Sequence, residues 1–141
     1  DEQVLNDIFG RAEELHEDPL HAFLIGLKLF AEMMASVHEV HPGCLTASVC
    51  YQDQLFDQTI RQMNAEGMLA WRTRFRDTLG TIAERYPPKI DIDLDTMADT
   101  MMALVEGGII VSKVMKDSRA LPAQIMHFRN YVRLAFDPEI K

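Results

Sequence analysis

Apolar side chains recur along this chain with the three-to-four-residue step of a helix. Val4, Leu5, Ile8, Phe9, Ala12 and Leu15 mark a first amphipathic helix over residues 4–15, and the pattern stops before Pro19. From Leu20 to Val40 nearly every position is apolar, while His21, Lys28, Glu32 and Glu39 share one narrow stripe. A helix of that kind has to be surrounded on most sides. Pro42-Gly43 is expected to end it, because proline has no amide to donate and glycine accepts the geometry of a helix terminus. A short segment, Cys44 to Tyr51, leads into a long helical stretch over residues 53–86. Its series Phe56, Ile60, Met63, Trp71, Phe75, Leu79, Ile82 and Tyr86 is interrupted near Gly67, which predicts one kinked helix or two in succession.

Pro87-Pro88 forces a break, and the alternation from Ile90 to Asp95 has the period of a strand. No other segment offers a partner, and a lone strand leaves its backbone groups unpaired. The aspartates serve better as caps: Asp93 or Asp95 can accept from the free amides of a helix beginning near Thr96. That helix runs to Met115 or Lys116, and a last one, opened by Leu121-Pro122, runs to Phe136 before Pro138. The expected architecture is all-α, a bundle of about five or six helices forming one domain over residues 1–141.

The last two helices carry more apolar surface than one contact requires. On the penultimate helix Leu94, Met97, Met101, Leu104, Val105, Gly108, Ser112 and Met115 gather on one side, extended by Ala98, Met102 and Ile109, with Asp99, Glu106, Lys113 and Asp117 opposite. The arc covers roughly 200°, about twice what a single core contact needs. On the last helix Leu121, Ile125, Phe128, Val132, Ala135 and Phe136 form one stripe, and Ala123, His127, Tyr131 and Leu134 a second. Two stripes imply two partners. One is the domain's own core; the other is either the same helix pair of a second copy, in a four-helix dimer contact, or further core of a larger single-chain bundle. In the dimer reading Gly108, Ser112 and Ala123 are small enough for a close crossing, with Ile109, Met115, His127, Tyr131 and Leu134 around them.

Composition narrows the function. With 48% hydrophobic and 26% charged residues among 141, the chain should fold as an ordinary domain. Acidic residues outnumber Lys plus Arg by 22 to 14, and a charge of −8 repels a phosphate backbone, so these residues alone are not expected to bind DNA. Two cysteines are too few for a disulfide framework, and no leader precedes Val4, which makes the cytoplasm the default location. The apolar run Ala22–Val37 is interrupted by Lys28 and Glu32 and is too short and too charged to span a bilayer. A first residue of Asp rather than Met suggests a start inside a longer protein.

The order of features resembles the C-terminal domain of the TetR (tetracycline-repressor-like) family of transcriptional regulators over essentially the whole chain. The residues that carry the likeness are the Pro19-Leu20 helix start, the Gly43-Cys44-Leu45 turn followed by small residues, and Trp71 on a long helix. To these are added the run Met97-Ala98 through Leu104-Val105-Glu106-Gly107-Gly108, the turn Lys116-Asp117-Ser118 and the final amphipathic helix. The resemblance implies central helices enclosing a small-molecule pocket and last helices that form a homodimer. It also implies a DNA-reading helix-turn-helix head ahead of residue 1, joined through the helix at residues 1–16, and action as a repressor.

The pocket is expected among Phe30, Met34, Phe56, Met63, Trp71, Phe75, Met101 and Val105, on the inward faces of three helices. Met33, Met68, Met97 and Met102 add soft side chains that adapt to varied apolar or amphipathic effectors; the same residues also suit ordinary core. His38, His41 and Cys44 have ligand types and spacing a metal can use, but Pro42-Gly43 turns the chain away and no second cluster follows. Asp91, Asp93 and Asp95 lack the glycine and distal glutamate of a calcium loop, and Glu13 with His16 is one pair where a di-iron bundle needs two. There is no nucleophile elbow and no phosphate loop, so neither an enzyme nor a cofactor is indicated. Arg72, Arg74, Arg76 and Arg85 offer either attraction for an acidic ligand or, with Asp77 and Glu84 nearby, a solvated face. The alternatives to a sensor domain are a metal-binding or enzymatic helical bundle and a dimerisation scaffold without ligand.

Overall fold

Six α-helices and no strand are present among the described residues, 2–141, of the computed structural model: α1 (Glu2–Leu15), α2 (Pro19–Ser36), α3 (Leu45–Tyr51), α4 (Gln58–Arg85), α5 (Leu94–Met115) and α6 (Ala120–Phe136). Asp1, where the expected domain opens, lies outside the described residues. The fold is the expected all-α bundle.

Local chemistry sets the boundaries. Asp18 opens α2 by accepting the His21 amide at 3.0 Å, with Pro19 in the first turn, where a missing N–H costs nothing. The helix ends at Ser36, ahead of the expected Val40. The Ser36 hydroxyl donates to the Met33 carbonyl at 2.7 Å and Val37 is extended, so residues 37–44 form a link in which Gly43 takes φ +132°. The β-branched Val37 leaves the helix before the Pro-Gly pair is reached.

Asp57 caps α4 through the Ile60 amide at 3.0 Å, after a single 3-10 turn at Asp53–Leu55. The helix then runs unbroken through Gly67, where an added Cβ would meet nothing within 4 Å. The expected interruption is absent because one glycine lowers helix propensity by only about 1 kcal/mol, and 28 residues of continuous hydrogen bonding outweigh it. Asp93 is the aspartate that caps α5, accepting the Thr96 amide at 2.8 Å, and Lys116 closes that helix in the left-handed region. The amide of Leu121, in the first turn of α6, donates to the Ser112 hydroxyl of α5 at 3.2 Å, so one helix caps its neighbour.

Helix α6 packs along both α2 and α5, α1 lies on α2, and α4 crosses α5 and touches α2. Four phenylalanines from four helices meet at the centre: Phe9 stands edge-on to Phe75 with ring centroids 5.3 Å apart, and Phe23 lies 6.2 Å from Phe75 and 6.4 Å from Phe128. All four are buried, and each contributes roughly 1.5–3 kcal/mol through removal from water. Gly26 is what lets α1 settle onto α2, since a Cβ there would come within 2.4 Å of the Phe9 ring.

Candidate functional site

Above this aromatic centre the helices diverge around a largely apolar cavity of about 310 Å³. Val4 and Leu5 of α1, Phe30, Met33 and Met34 of α2, Met68 and Trp71 of α4, and Met102, Val105 and Ile109 of α5 line it. The link 37–44 and the start of α3 close one side with His41, Gly43, Cys44, Leu45 and Thr46. The link is held to α5 by the Lys113 ammonium, which donates to the Pro42 carbonyl at 2.6 Å, and α3 is held to α4 by the Asn64 amide on the Thr46 carbonyl at 3.1 Å.

Few polar groups reach this space. The Trp71 indole Nε1–H is buried beside it without a hydrogen-bond partner, an unusual condition for a donor. His41 accepts the Gly43 amide on Nδ1 at 3.1 Å, which places the proton of the neutral ring on Nε2. Burial pushes the Cys44 thiol up, and the Glu106 carboxylate beside it, which the thiol contacts, pushes in the same direction. Glu106 is the single acidic residue among the lining side chains, and no lysine or arginine joins it.

Four arginines of α4 are occupied elsewhere. Arg72 grips Asp99 of α5 with two hydrogen bonds, 2.7 and 2.8 Å long, and Arg74 reaches Glu13 of α1 at 3.1 Å. Arg76 meets Asp95 at 3.4 Å and Arg85 meets Asp18 at 3.8 Å. This row holds α4 to its neighbours. A second hollow of about 300 Å³ lies where Arg74 and Glu13 pair, near Phe9, Pro19 and Thr78.

Of the residues expected in the pocket, Phe30, Met34, Trp71 and Val105 line the cavity together. Phe75 and Met101 are buried in the core beneath it; the Phe75 ring lies 4.9 Å from Trp71. Phe56 is half-buried at the entry to α4 and does not line the space, and Met63 is 66% exposed. Among the residues expected to meet a second copy, Gly108, Ile109 and Ser112 are buried within the chain. A Cβ on Gly108 would stand 3.0 Å from the Leu121 backbone, Ile109 faces the cavity and Ser112 caps α6. Met115, Ala123, His127 and Leu134 are exposed, and Tyr131 is half-buried, 6.3 Å from Phe128.

What periodicity missed lies on the polar side of α5. Asp99, Glu106 and Lys113 share that side, yet it faces protein: Asp99 takes Arg72, Glu106 enters the cavity and Lys113 takes Pro42. The side left open carries Ala103, Ile110, Val111 and Val114, the last 74% exposed. His41, Cys44, Val4 and Leu5 also reach the site from segments whose positions depend on long-range packing. His38 is exposed, and among the described residues no three His, Cys, Asp or Glu side chains converge as a metal set. No helix among them is long and apolar enough to cross a membrane.

A family model described as tetracyclin repressor-like, C-terminal domain, matches residues 26–128. No curated protein and no solved structure matches the chain.

Proposed function

Because the chain belongs to the tetracyclin repressor-like C-terminal domain family and is thus a domain of a TetR-like transcriptional regulator, we propose that its cavity is the effector site of a one-component sensor. The observation that carries this reading is an apolar space walled by α1, α2, α4 and α5 at once, with the buried Trp71 N–H left without a partner. A ligand filling it touches the helix that, in this reading, leads to a DNA-reading head and also the helices that pair two copies. It acts by binding one arrangement of these helices more tightly than another, the requirement for any population shift. The parent protein is read as a repressor acting in the cytoplasm, with DNA contact assigned to the head ahead of α1.

The same reading makes the domain a homodimer through α5 and α6, using the open face Ala103, Gly107, Ile110, Val111 and Val114 together with Ala123, His127 and Leu134. Such a stripe favours a self-complementary four-helix contact, because monomeric proteins rarely leave large continuous apolar patches in water.

Thermal denaturation against a chemically diverse panel of small molecules tests the sensor reading. A ligand present at 100 times its dissociation constant adds about 2.7 kcal/mol to stability, so several apolar or amphipathic compounds should raise the melting temperature. If none does, the domain is a dimerisation scaffold.

A further inference from the structure

We infer that the effector is an organic cation: an apolar body bearing an amine or quaternary ammonium head that seats against Glu106 in a cavity with aromatic walls from Phe30 and Trp71. This rests on the reading of the cavity as an effector site and adds the charge of its occupant.

The argument begins with the unequal charge of the lining. Glu106 is half-buried, and no lysine or arginine lines the space with it. Among the described residues it belongs to no ion pair. Every arginine of α4 with a carboxylate partner has found it outside the cavity, on α1, α4 itself, α5 or the turn before α2. The nearest cation on the same side of α5 is Lys113, seven residues on. Its side chain reaches the rim of the cavity, where the ammonium donates to the Pro42 carbonyl at 2.6 Å and stands 3.9 Å from where a Cβ on Gly43 would be, without forming an ion pair with Glu106. His41 also lines the space, its Nδ1 taken by the Gly43 amide. The polar group that does meet Glu106 is the Cys44 thiol, which bears no charge to offset it.

A carboxylate in a concave, mostly apolar wall has its field focused into the space by the low-dielectric surroundings. The chain's net charge of −8 adds to the same sign. An anionic ligand meets repulsion, a neutral one leaves the carboxylate as it was, and a cation pairs with it. Phe30 and Trp71 are the aromatic residues of the lining, and an aromatic ring attracts a cation placed over its face.

Three probes with one apolar tail separate these cases: octyltrimethylammonium, octanol and octanoate, titrated below micelle formation at low salt. Trp71 is the single tryptophan of the chain and reports from within the lining, so its fluorescence reads occupancy directly. The expected order is octyltrimethylammonium first, tighter than octanol on the order of tenfold, with octanoate weakest. Glu106→Gln keeps the shape and should bring the cation to within about twofold of octanol while leaving octanol binding as it was. Equal affinities for cation and alcohol in the wild type, or a preference that survives Glu106→Gln, overturns the inference. Octanol binding without any preference for the cation leaves the effector-site reading intact and removes the charge assignment. If none of the three probes shifts the fluorescence or the melting temperature, both fall. The wild-type comparison decides even if the variant does not fold.

Discussion

Gly108 of α5 lies against Leu121 of α6 so closely that a Cβ added to the glycine would stand 3.0 Å from the leucine Cα, whereas the same atom on Gly107 would meet nothing within 4 Å. Adjacent glycines therefore have opposite roles. Gly108→Ala pushes two helices apart and should cost about 1–3 kcal/mol, beyond the propensity it gains. Gly107→Ala should instead raise stability by up to about 1 kcal/mol. Urea denaturation of the two variants under identical conditions checks the sign of each.

Association should respond at the neighbouring position. Gly107→Arg places a guanidinium on the open face of α5 and, across a two-fold axis, places it there twice. Together with Val114→Asp it should yield a folded monomer, with helical circular dichroism unchanged. Sedimentation equilibrium reads the outcome. A wild-type domain that is monomeric at micromolar concentration, or variants that remain dimeric, would count against the proposed interface.

Trp71 should divide stability from recognition. Its indole contributes area to the core cluster through Phe75, so Trp71→Ala is expected to lose about 3 kcal/mol. Trp71→Phe keeps a ring and deletes an N–H that has no partner, so the ligand-free domain should lose less than about 1 kcal/mol. A ligand with a hydrogen-bond acceptor aimed at that N–H should still bind this variant several-fold more weakly, by calorimetry.

Acid stability should depend on the turn between α5 and α6. The Arg119 guanidinium and backbone amide both donate to Asp117 and hold its carboxyl at about 2, below the ordinary 3.8. A depressed carboxylate stabilises the fold above its unfolded value, and that contribution is lost as the pH falls from near 4 towards 2. Arg119→Ala removes the first of these causes, so it should lower stability slightly above pH 4 and converge with the wild type near pH 2, which flattens the acid limb; the difference is small because the pair is exposed. Chemical denaturation at a series of pH values distinguishes the two profiles.

The helices were legible because their apolar faces repeat, and the cap at Asp93 because a short acidic side chain before a helical pattern has one good local use. Where backbone preference and apolar content disagreed, content misled: Val37 and Val40 continue the apolar series of α2 but leave the helix. The site was half legible for a related reason. Phe30, Met34, Trp71 and Val105 point inward at a level where other helices surround them, while Met63 lies roughly 120° round α4 from Phe75 at about 100° per residue and is exposed. A wheel drawn on α5 sorts polar from apolar and says nothing about which side another element will cover. Such a wheel sets Glu106 opposite the apolar arc without showing that it enters the cavity, and does not reveal the open apolar strip through Ile110 and Val114. Gly108 was recognised as a place of close approach, but periodicity does not say whose backbone approaches.

The link at residues 37–44 has a kinetic consequence. Beyond its own turn and the start of α3 it is tied to the rest of the fold, among the described residues, by the hydrogen bond from Lys113 to Pro42 and by the Cys44 thiol against Glu106, and none of its side chains is fully buried. Such a segment opens at a small fraction of the global unfolding free energy. Its amides should therefore exchange with deuterated solvent long before those of α2 or α6. Because this link closes one side of the cavity, the lifetime of an occupant, in the effector-site reading, should shorten when the Lys113 ammonium is removed, so that affinity and residence time become separately adjustable there.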